Sequence, residues 1–499
     1  METRDYVSYA LNNAEIYTQF CQGFYNHRMA FLKPAYKLLT KFTENDNASL
    51  LADPSIENFI RSANERMEIF MYMDSKMKEI GDDVMQLVPS YFKGELEQAL
   101  HAYLEPEKNE SIESYQEGLL KALRRLVYEF PKVISEAGKH YGFQFDNGKY
   151  EVVLDTPHFI FYKVLPTKEG VEIKENCQPM LFVHPYVLGH NVLGFFPSTG
   201  KSYIHAFANA GVPCFLKYRK KVHQSLAILS TTLDDDIMET QLFCKHLKSL
   251  YKKPVVINAY CHGGWLSLVA VLSGKLDGLV DTLITAVAPL DAAQAEMYHP
   301  TVNVIKKLTA DTKKLSDVKD DRYYVDGDII ALFVKLPSAG KENGIYTFFD
   351  TLRQFRALGD KPISIEMAGM QHWLQHERAP MSVDMIQGVL DAYINPIAPD
   401  GVFPARAFGK KLNLKRMNEK KIDFYVCFAE KDFVVPPSTC KTVTKWVKAE
   451  VVAFPKGHAA IATSWSKPGS ECFVGNEFGG KRGPLKYYLD LQKARGYEK

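Results

Sequence analysis

The feature that most constrains this 499-residue chain is a change of sequence pattern near residue 141. From there on, strand-like apolar runs alternate with helical ones. Alternation of this kind predicts an α/β fold with a mostly parallel, doubly wound sheet. The first two runs are so close together that they favour an antiparallel hairpin at one edge. The strand-like runs lie at residues 150–156, 158–165, 180–185, 212–220, 254–261, 279–289, 421–432 and 449–458.

The same pattern predicts how the chain is organised. Residues 1–140 show helical periodicity, clearest after Ser114, which with Glu117 resembles a capping box. We interpret them as an N-terminal helical region used for packing or dimerisation. Residues 141–499 then form the catalytic domain. Over a hundred residues inside this domain show no strand-like pattern. A segment of that length is too long for a structureless loop, so we predict a mainly helical lid inserted at about 292–420.

Composition excludes several classes of protein. Hydrophobic residues make up 46% of the chain and charged residues 24%, which is typical of globular proteins. The net charge of +2 argues against nucleic-acid binding. Eight cysteines include no Cys-x-x-Cys pair or zinc-like spacing, so we expect no metal site. The uncharged stretches 177–200 and 254–274 read as buried strands, turns and helix starts, and we expect no transmembrane segment and a cytoplasmic location.

One strand-like run ends at a cysteine in a glycine-flanked turn. The segment Ala259-Tyr260-Cys261-His262-Gly263 spans the end of the run at 254–261 and precedes an apolar helical run. A nucleophile on such a turn is held in the open, and the N–H of the next residue, here His262, points at the developing oxyanion. A lone cysteine is usually a small buried hydrophobe. Because strand, turn and helix start coincide, we interpret Cys261 as a nucleophile.

An acid and a base follow in the expected chain order. Asp432 comes just after one strand-like run, and His458 lies on a glycine turn after the next. The order nucleophile, acid, histidine is that of hydrolases whose nucleophile sits on a strand-to-helix turn. Asp291 and His376 are the weaker substitutes for these two roles.

With these motifs in place, the sequence resembles the polyhydroxyalkanoate synthase family from about Pro179 to Pro468. The family carries Gly-x-Cys-x-Gly-Gly where this chain has residues 259–264, Asp-His-(Ile/Val)-Val-Pro where it has 432–436, and Gly-His-Ile where it has 457–459. Ala259 replaces a glycine and Phe433 a histidine, which marks a divergent member. The resemblance implies an α/β-hydrolase fold with Cys261, Asp432 and His458 as the catalytic triad.

Two further segments take part in the resemblance. "FVHPYVLGHN" sits where the family has its oxyanion loop, so Tyr186 or Val187 would supply the second oxyanion N–H beside that of His262. A lid segment is similar in its Trp, Pro and Tyr-x-Asn ending, although the Asn-x-Asp expected after the tryptophan is absent. Its matching residues are Trp373, Pro380, Tyr393 and Asn395.

The resemblance implies an acyltransferase that polymerises 3-hydroxyacyl-CoA through an acyl-cysteine and releases CoA. Acyl-CoA is the substrate, and no cofactor is implied. The growing polyester or its granule surface would be a partner, and we expect a homodimer. The basic stretch 217–221 would either meet CoA phosphates or form a solvated loop.

Alternatives remain open. Intracellular polyhydroxyalkanoate depolymerases resemble the chain too and hydrolyse the polyester with a cysteine nucleophile. Dienelactone-type hydrolases share the cysteine turn but are shorter and lack so large a lid. A catalytically inactive, granule-associated scaffold would keep the fold and use its N-terminal helices for binding.

Overall fold

The structure is a computed structural model that describes residues 3–105, 107, 110–311, 313–339, 343–463 and 467–498. The chain divides into two compact units. The first comprises Met1–Lys139 and Leu332–His372, and the second His140–Ala331 and Trp373–Lys499.

The α-helices of the described residues are, in chain order, α1 (Thr3–Ala52), α2 (Ile56–Leu104), α3 (Ile112–Arg124), α4 (Phe130–Ala137), α5 (Tyr203–Ala208), α6 (Leu233–Tyr251), α7 (His262–Leu272), α8 (His299–Lys306), α9 (Gly327–Lys335), α10 (Gly344–Leu358), α11 (Ile365–His376), α12 (Val383–Ile394), α13 (Lys415–Glu419), α14 (Pro437–Lys441), α15 (Ala460–Thr463) and α16 (Pro484–Ala494).

The strands are β1 (Tyr150–Asp155), β2 (Phe159–Val164), β3 (Met180–Val183), β4 (Cys214–Arg219), β5 (Val255–Tyr260), β6 (Val280–Ala286), β7 (Asp317–Lys319), β8 (Arg322–Val325), β9 (Met381–Ser382), β10 (Val402–Ala407), β11 (Lys410–Asn413), β12 (Asp423–Ala429), β13 (Glu450–Phe454), β14 (Glu477–Phe478) and β15 (Lys481–Arg482).

The first unit is helical, as the sequence predicts. Aromatic rings from α1, α2 and α10 form its core, where Phe20 meets Phe348 edge-on at 4.9 Å and Tyr91 lies 4.4 Å from Phe349. The predicted start of α3 is wrong by one turn. Ser111 is the N-cap, and its hydroxyl oxygen accepts the N–H of Ser114 at 3.2 Å, so the helix begins at Ile112.

The second unit is built on an eight-stranded sheet in the order β1-β2-β4-β3-β5-β6-β12-β13. The hairpin β1–β2 lies at one edge, β2 runs antiparallel to β4, and all later neighbours are parallel. The predicted fold class is therefore confirmed, and each of the eight strand-like runs supplies one strand. Every residue of β3, β4 and β5 is buried, which explains the near-continuous apolar sequences of β3 and β5.

Parallel strands place their carboxyl ends along one edge of the sheet. The loops after β3, β5, β12 and β13 therefore emerge on the same side of the second unit. Between β6 and β12 the chain forms helices, a small three-stranded sheet and the β10–β11 hairpin. These residues are divided between the two units, and the lid at about 292–420 stays a prediction.

Candidate active site

Cys261 occupies a strained turn between β5 and α7. Its backbone has φ 52° and ψ −129°, a conformation that side-chain-bearing residues rarely adopt. Two hydrogen bonds hold it there. Its N–H donates to the carbonyl of Ala286 at 2.8 Å, and its own carbonyl accepts the N–H of Gly264 at 2.8 Å. Strain that the surroundings enforce in this way is typical of functional sites, and the turn separates the thiol from the buried strand.

The glycine after the turn allows a close backbone approach. A Cβ on Gly263 would lie 2.6 Å from the carbonyl oxygen of His184 and 2.7 Å from that of Val183. These carbonyls belong to the end of β3 and the start of the loop that follows it. Only glycine lets α7 begin so close to that loop, so the loop is held beside the nucleophile.

Asp432 and His458 meet after β12 and β13. The Nδ1 atom of His458 lies 2.8 Å from Oδ2 of Asp432, whose side chain is fully buried. The other carboxylate oxygen accepts the N–H groups of Val434 at 3.0 Å and Val435 at 2.8 Å. With both oxygens engaged, the carboxylate cannot rotate, and it fixes the imidazole with Nε2 free to face another group.

Tyr260 ties the histidine loop to the strand that delivers the nucleophile. Its hydroxyl donates to the main-chain carbonyl of His458 at 2.8 Å, and the two rings lie 5.6 Å apart. Tyr260 immediately precedes Cys261, so one rigid strand end positions both the thiol and the base. Sequence reasoning did not assign this role to Tyr260, although its place in the turn motif was the available signal.

The charge state of His458 follows from its neighbours. Burial lowers its pKa, but the Asp432 carboxylate, the negative form of Cys261 and hydrogen bonds to both raise the pKa of His458 to about 10. The imidazole is therefore protonated at neutral pH. The thiolate is the nucleophilic form of a cysteine, and His458 is the neighbouring group that can exchange a proton with it.

The structure brings the predicted triad residues together and leaves the weaker substitutes elsewhere. Asp291 is buried and accepts the N–H of Ile397 at 3.4 Å, and His376 is exposed at the end of α11. Tyr393, named above only through the resemblance, lies near Cys261 and Asp432. Burial is the main cause that raises the pKa of Tyr393, and the negative charges of Cys261 and Asp432 raise it further.

The predicted oxyanion residues belong to two segments, the start of α7 and the loop after β3. His262 is the first residue of α7, where helix geometry provides no acceptor for its N–H. Tyr186 and Val187 belong to the loop after β3. In the part of the chain that the structure describes, the N–H groups of these three residues donate to no main-chain or side-chain acceptor.

Two residues outside the loop after β3 donate hydrogen bonds to its main-chain carbonyls. The carbonyl of Val187 accepts the N–H of Ala379 at 3.1 Å, and that of Leu188 accepts the indole N–H of Trp373 at 2.7 Å. Trp373 thus has a structural contact that the sequence did not predict.

Two of the four cations in the basic stretch 217–221 match neither expectation, whereas Lys221 is exposed after β4. Lys217 and Arg219 are buried in β4, with 0% and 6% of their surface exposed. Lys217 pairs with Asp236 at 2.8 Å, and Arg219 donates to the carbonyl of Pro380 at 2.9 Å. A strand buried on both faces turns these cations inward, so neither can meet a CoA phosphate.

The described residues contain neither a metal-binding cluster nor a membrane-spanning helix. No group of three or more His, Cys, Asp or Glu side chains there is arranged to hold a metal ion. No helix of that part of the chain combines the length and apolar character needed to cross a membrane.

No family model and no curated protein matches the chain. Solved structures that resemble it include a soluble variant of the monoglyceride lipase of Saccharomyces cerevisiae, with 10% identity, coverage of 72% of this chain and 99% of that chain, and a TM-score of 0.39. A structure from work on carboxylesterases of Nitrososphaera gargenis has 12% identity, 70% and 97% coverage and a TM-score of 0.33. A bromoperoxidase from Bacillus anthracis has 12% identity, 63% and 94% coverage and a TM-score of 0.35.

These identities and TM-scores are low, so the fold assignment rests on features of the chain itself. The strand order, the antiparallel second strand and the strand–turn–helix at Cys261 are those of an α/β-hydrolase fold. The predicted α/β-hydrolase fold, with a helical N-terminal region, is thus confirmed.

Proposed function

We propose that the protein is an acyl-transfer enzyme that attacks an ester or thioester with Cys261 and forms an acyl-cysteine. The observation that carries the proposal is the array of Cys261, His458 and Asp432 at the ends of three parallel strands, with the thiol on a strained turn. An array of this kind performs nucleophilic acyl transfer on several unrelated folds. An inactive scaffold would have no need to maintain it.

In the first step, the Cys261 thiolate attacks the carbonyl carbon of the substrate and a C–S bond forms. The oxygen becomes an oxyanion, which the N–H groups of His262 and of Tyr186 or Val187 stabilise. Collapse of this intermediate breaks the bond to the leaving group. Protonated His458 transfers its Nε2 proton to the departing thiolate or alkoxide, which leaves as the thiol or alcohol, and the imidazole becomes neutral.

In the second step, neutral His458 removes a proton from the acceptor hydroxyl, and the acceptor oxygen attacks the acyl-cysteine carbonyl. The C–S bond breaks, and the thiolate and imidazolium form again. Asp432 keeps Nδ1 protonated throughout and so orients the ring. No cofactor takes part in either step.

The narrower proposal concerns the acceptor. The three motif matches support a polyhydroxyalkanoate synthase-like enzyme, in which 3-hydroxyacyl-CoA is the donor and the hydroxyl of the next unit is the acceptor. The acyl-cysteine retains the transfer potential of a thioester, which suits transfer to an alcohol. A homodimer, the polyester granule as a partner surface and a lid that excludes water belong to the same proposal.

Hydrolysis is the second candidate, because the same array acts on water in place of an alcohol. The α/β-hydrolase fold serves ester hydrolysis as readily as transfer, and the geometry around Cys261 fits both. An intracellular depolymerase or a thioester hydrolase would then be the activity.

Intact-protein mass spectrometry after mixing with 3-hydroxyacyl-CoA and with the matching acyl-CoA tests these proposals. A ladder of added units with the first substrate and one persistent adduct with the second supports polymerisation. Steady release of free acid from both supports hydrolysis. Cys261→Ala is the control, and adducts that persist in this variant, or no adduct and no product with either substrate, would contradict the role of Cys261.

A further inference from the structure

A buried charged network lies beneath the loop after β3. Lys217 of β4 donates through Nζ to Oδ2 of Asp236 at 2.8 Å, to the hydroxyl of Tyr186 at 2.9 Å and to the hydroxyl of Thr240 at 2.8 Å. The hydroxyl of Tyr186 in turn donates to Oδ2 of Asp236. The Lys217 and Asp236 side chains are only 1% and 2% exposed. All three donor positions of the ammonium are therefore used.

The network joins two elements, β4 and α6, to one loop residue. Lys217 lies opposite Val183 in the parallel pair β3–β4, three residues before Tyr186. Asp236 lies in the first turn of α6, and Thr240 one turn later, where its hydroxyl donates to the Asp236 carbonyl at 2.7 Å. The Tyr186 ring is thus fastened at its hydroxyl end to the sheet and to a helix.

The other end of the same ring faces the nucleophile's neighbour. The rings of Tyr186 and His262 meet edge-to-face with centroids 6.0 Å apart. His262 provides one candidate oxyanion N–H, and the main chain at Tyr186 and Val187 provides the other. Tyr186 therefore touches both halves of the proposed oxyanion hole.

A buried ion pair is weak evidence for stability, because desolvation of two charges offsets their attraction. Such pairs are better explained where they fix one geometry among several. Burial, followed by the charge of Asp236, raises the pKa of Tyr186 well above its ordinary value, so its hydroxyl remains a donor at any working pH.

We propose that Tyr186 is a positioning residue, and that the Lys217–Asp236 pair holds it so that the loop after β3 presents its N–H to the oxyanion. This inference rests on the proposed acyl transfer. It predicts that the Lys217–Asp236–Tyr186 network affects the rate only of steps that generate an oxyanion. Alkylation of Cys261 by iodoacetamide generates none, since the thiolate displaces iodide directly at a CH₂ carbon.

The test compares these two reactions in Tyr186→Phe. This variant removes one hydroxyl and leaves Lys217 paired with Asp236, so the fold should be retained. We expect acylation of Cys261 by a thioester to slow by about 10-fold to 100-fold, as misplaced catalytic groups do. Alkylation by iodoacetamide should stay within about twofold of wild type, because it reports only the thiolate and His458.

Tyr218→Phe is the matched control. Tyr218 neighbours Lys217 in β4, and its hydroxyl donates to Gln224 at 2.9 Å, outside the network. It should acylate and alkylate like wild type. The double variant Lys217→Met/Asp236→Leu replaces both charges by apolar side chains and should reproduce the selective loss of acylation while Tyr186 is intact.

Three results would overturn the inference. Unchanged acylation in Tyr186→Phe would show that the hydroxyl does not position the loop. Equal losses of acylation and alkylation would show an effect on the Cys261–His458 pair instead. A similar loss in Tyr218→Phe would show a general effect of removing a phenol from this region. Failure of the proposed function is distinct from all three, since wild-type protein would then form no acyl-cysteine.

Discussion

Gly263→Ala tests whether the close approach of α7 to the loop after β3 serves catalysis. The new methyl carbon would lie 2.6 Å and 2.7 Å from two carbonyl oxygens, those of His184 and Val183. Ordinary contacts of a carbon atom are about 3.5 Å or longer. Both obstacles are backbone atoms and cannot rotate away, so either the loop or the start of α7 must move.

The expected magnitude follows from two opposing effects. Overpacking of this kind costs about 1–3 kcal/mol. Alanine in place of a helical glycine returns up to about 1 kcal/mol. Gly388→Ala in α12 provides the control, because a Cβ there meets nothing within 4 Å. Both variants receive the helix benefit, so the difference between their free energies of unfolding, about 1–3 kcal/mol, isolates the clash.

The effect on activity should exceed the effect on stability. A shift of the loop by several tenths of an ångström moves an oxyanion donor, and loss of one such donor costs about 10²–10³ in rate. Urea unfolding gives the stability, and the burst of leaving group from a chromogenic ester gives the acylation rate. A Gly263→Ala protein that folds and acylates as fast as Gly388→Ala would refute the assignment of the oxyanion hole to this loop.

Other predictions concern the triad. Iodoacetamide should label native protein at Cys261 and Cys21, since the other six cysteines are buried. Mass mapping should show that only blockage at Cys261 abolishes activity, and Cys21→Ser should be fully active. His458→Ala should lower turnover by about 10⁵-fold or more and Asp432→Asn by about 10⁴-fold, measured as steady-state rates; equal, negligible effects would mean that other residues act. Alkylated Cys261 carries no charge, so NMR titration should find the pKa of His458 below its value of about 10 in the free enzyme, and an unchanged value would refute the ion pair. Because that pKa exceeds the ordinary 6.5, proton binding by His458 stabilises the folded state. The contribution is complete below pH 6.5 and is lost as the pH rises through about 10. The urea midpoint of wild type should therefore fall more between these pH values than the midpoint of His458→Gln.

The fold could be predicted from sequence because its signals are local. Each strand of the large sheet coincides with one apolar run, and parallel strands necessarily align their carboxyl ends. The proximity of Asp432 to His458 followed from the same topology, since each lies within four residues of the end of an adjacent strand. The helix start at Ser111 was missed by one turn, because serines at 111 and 114 offer equivalent capping side chains in sequence.

The buried network could not be predicted, for a physical reason. In sequence, Lys217 belongs to the run "KYRKK" and Asp236 to the run "DDD", and charge runs are usually solvated. Their pairing depends on α6 packing its first turn against β4, a contact that neither segment encodes alone. One signal was present: Lys217 and Arg219 alternate with Tyr218 in a strand-like run that begins with apolar residues. That signal predicts buried cations only if both faces of the strand are known to be covered.

The contacts of His458 also explain how one imidazole could serve both halves of the proposed cycle. Three kinds of interaction oppose the lowering of its pKa by burial: the charge of Asp432, the negative form of Cys261, and hydrogen bonds to both. Acylation turns the thiolate into a neutral thioester and removes the contributions of Cys261. Burial, which lowers the pKa of His458, is then opposed only by Asp432. The pKa of the ring is therefore lower in the acyl-enzyme than in the free enzyme. The acid of the first step thereby becomes the base of the second.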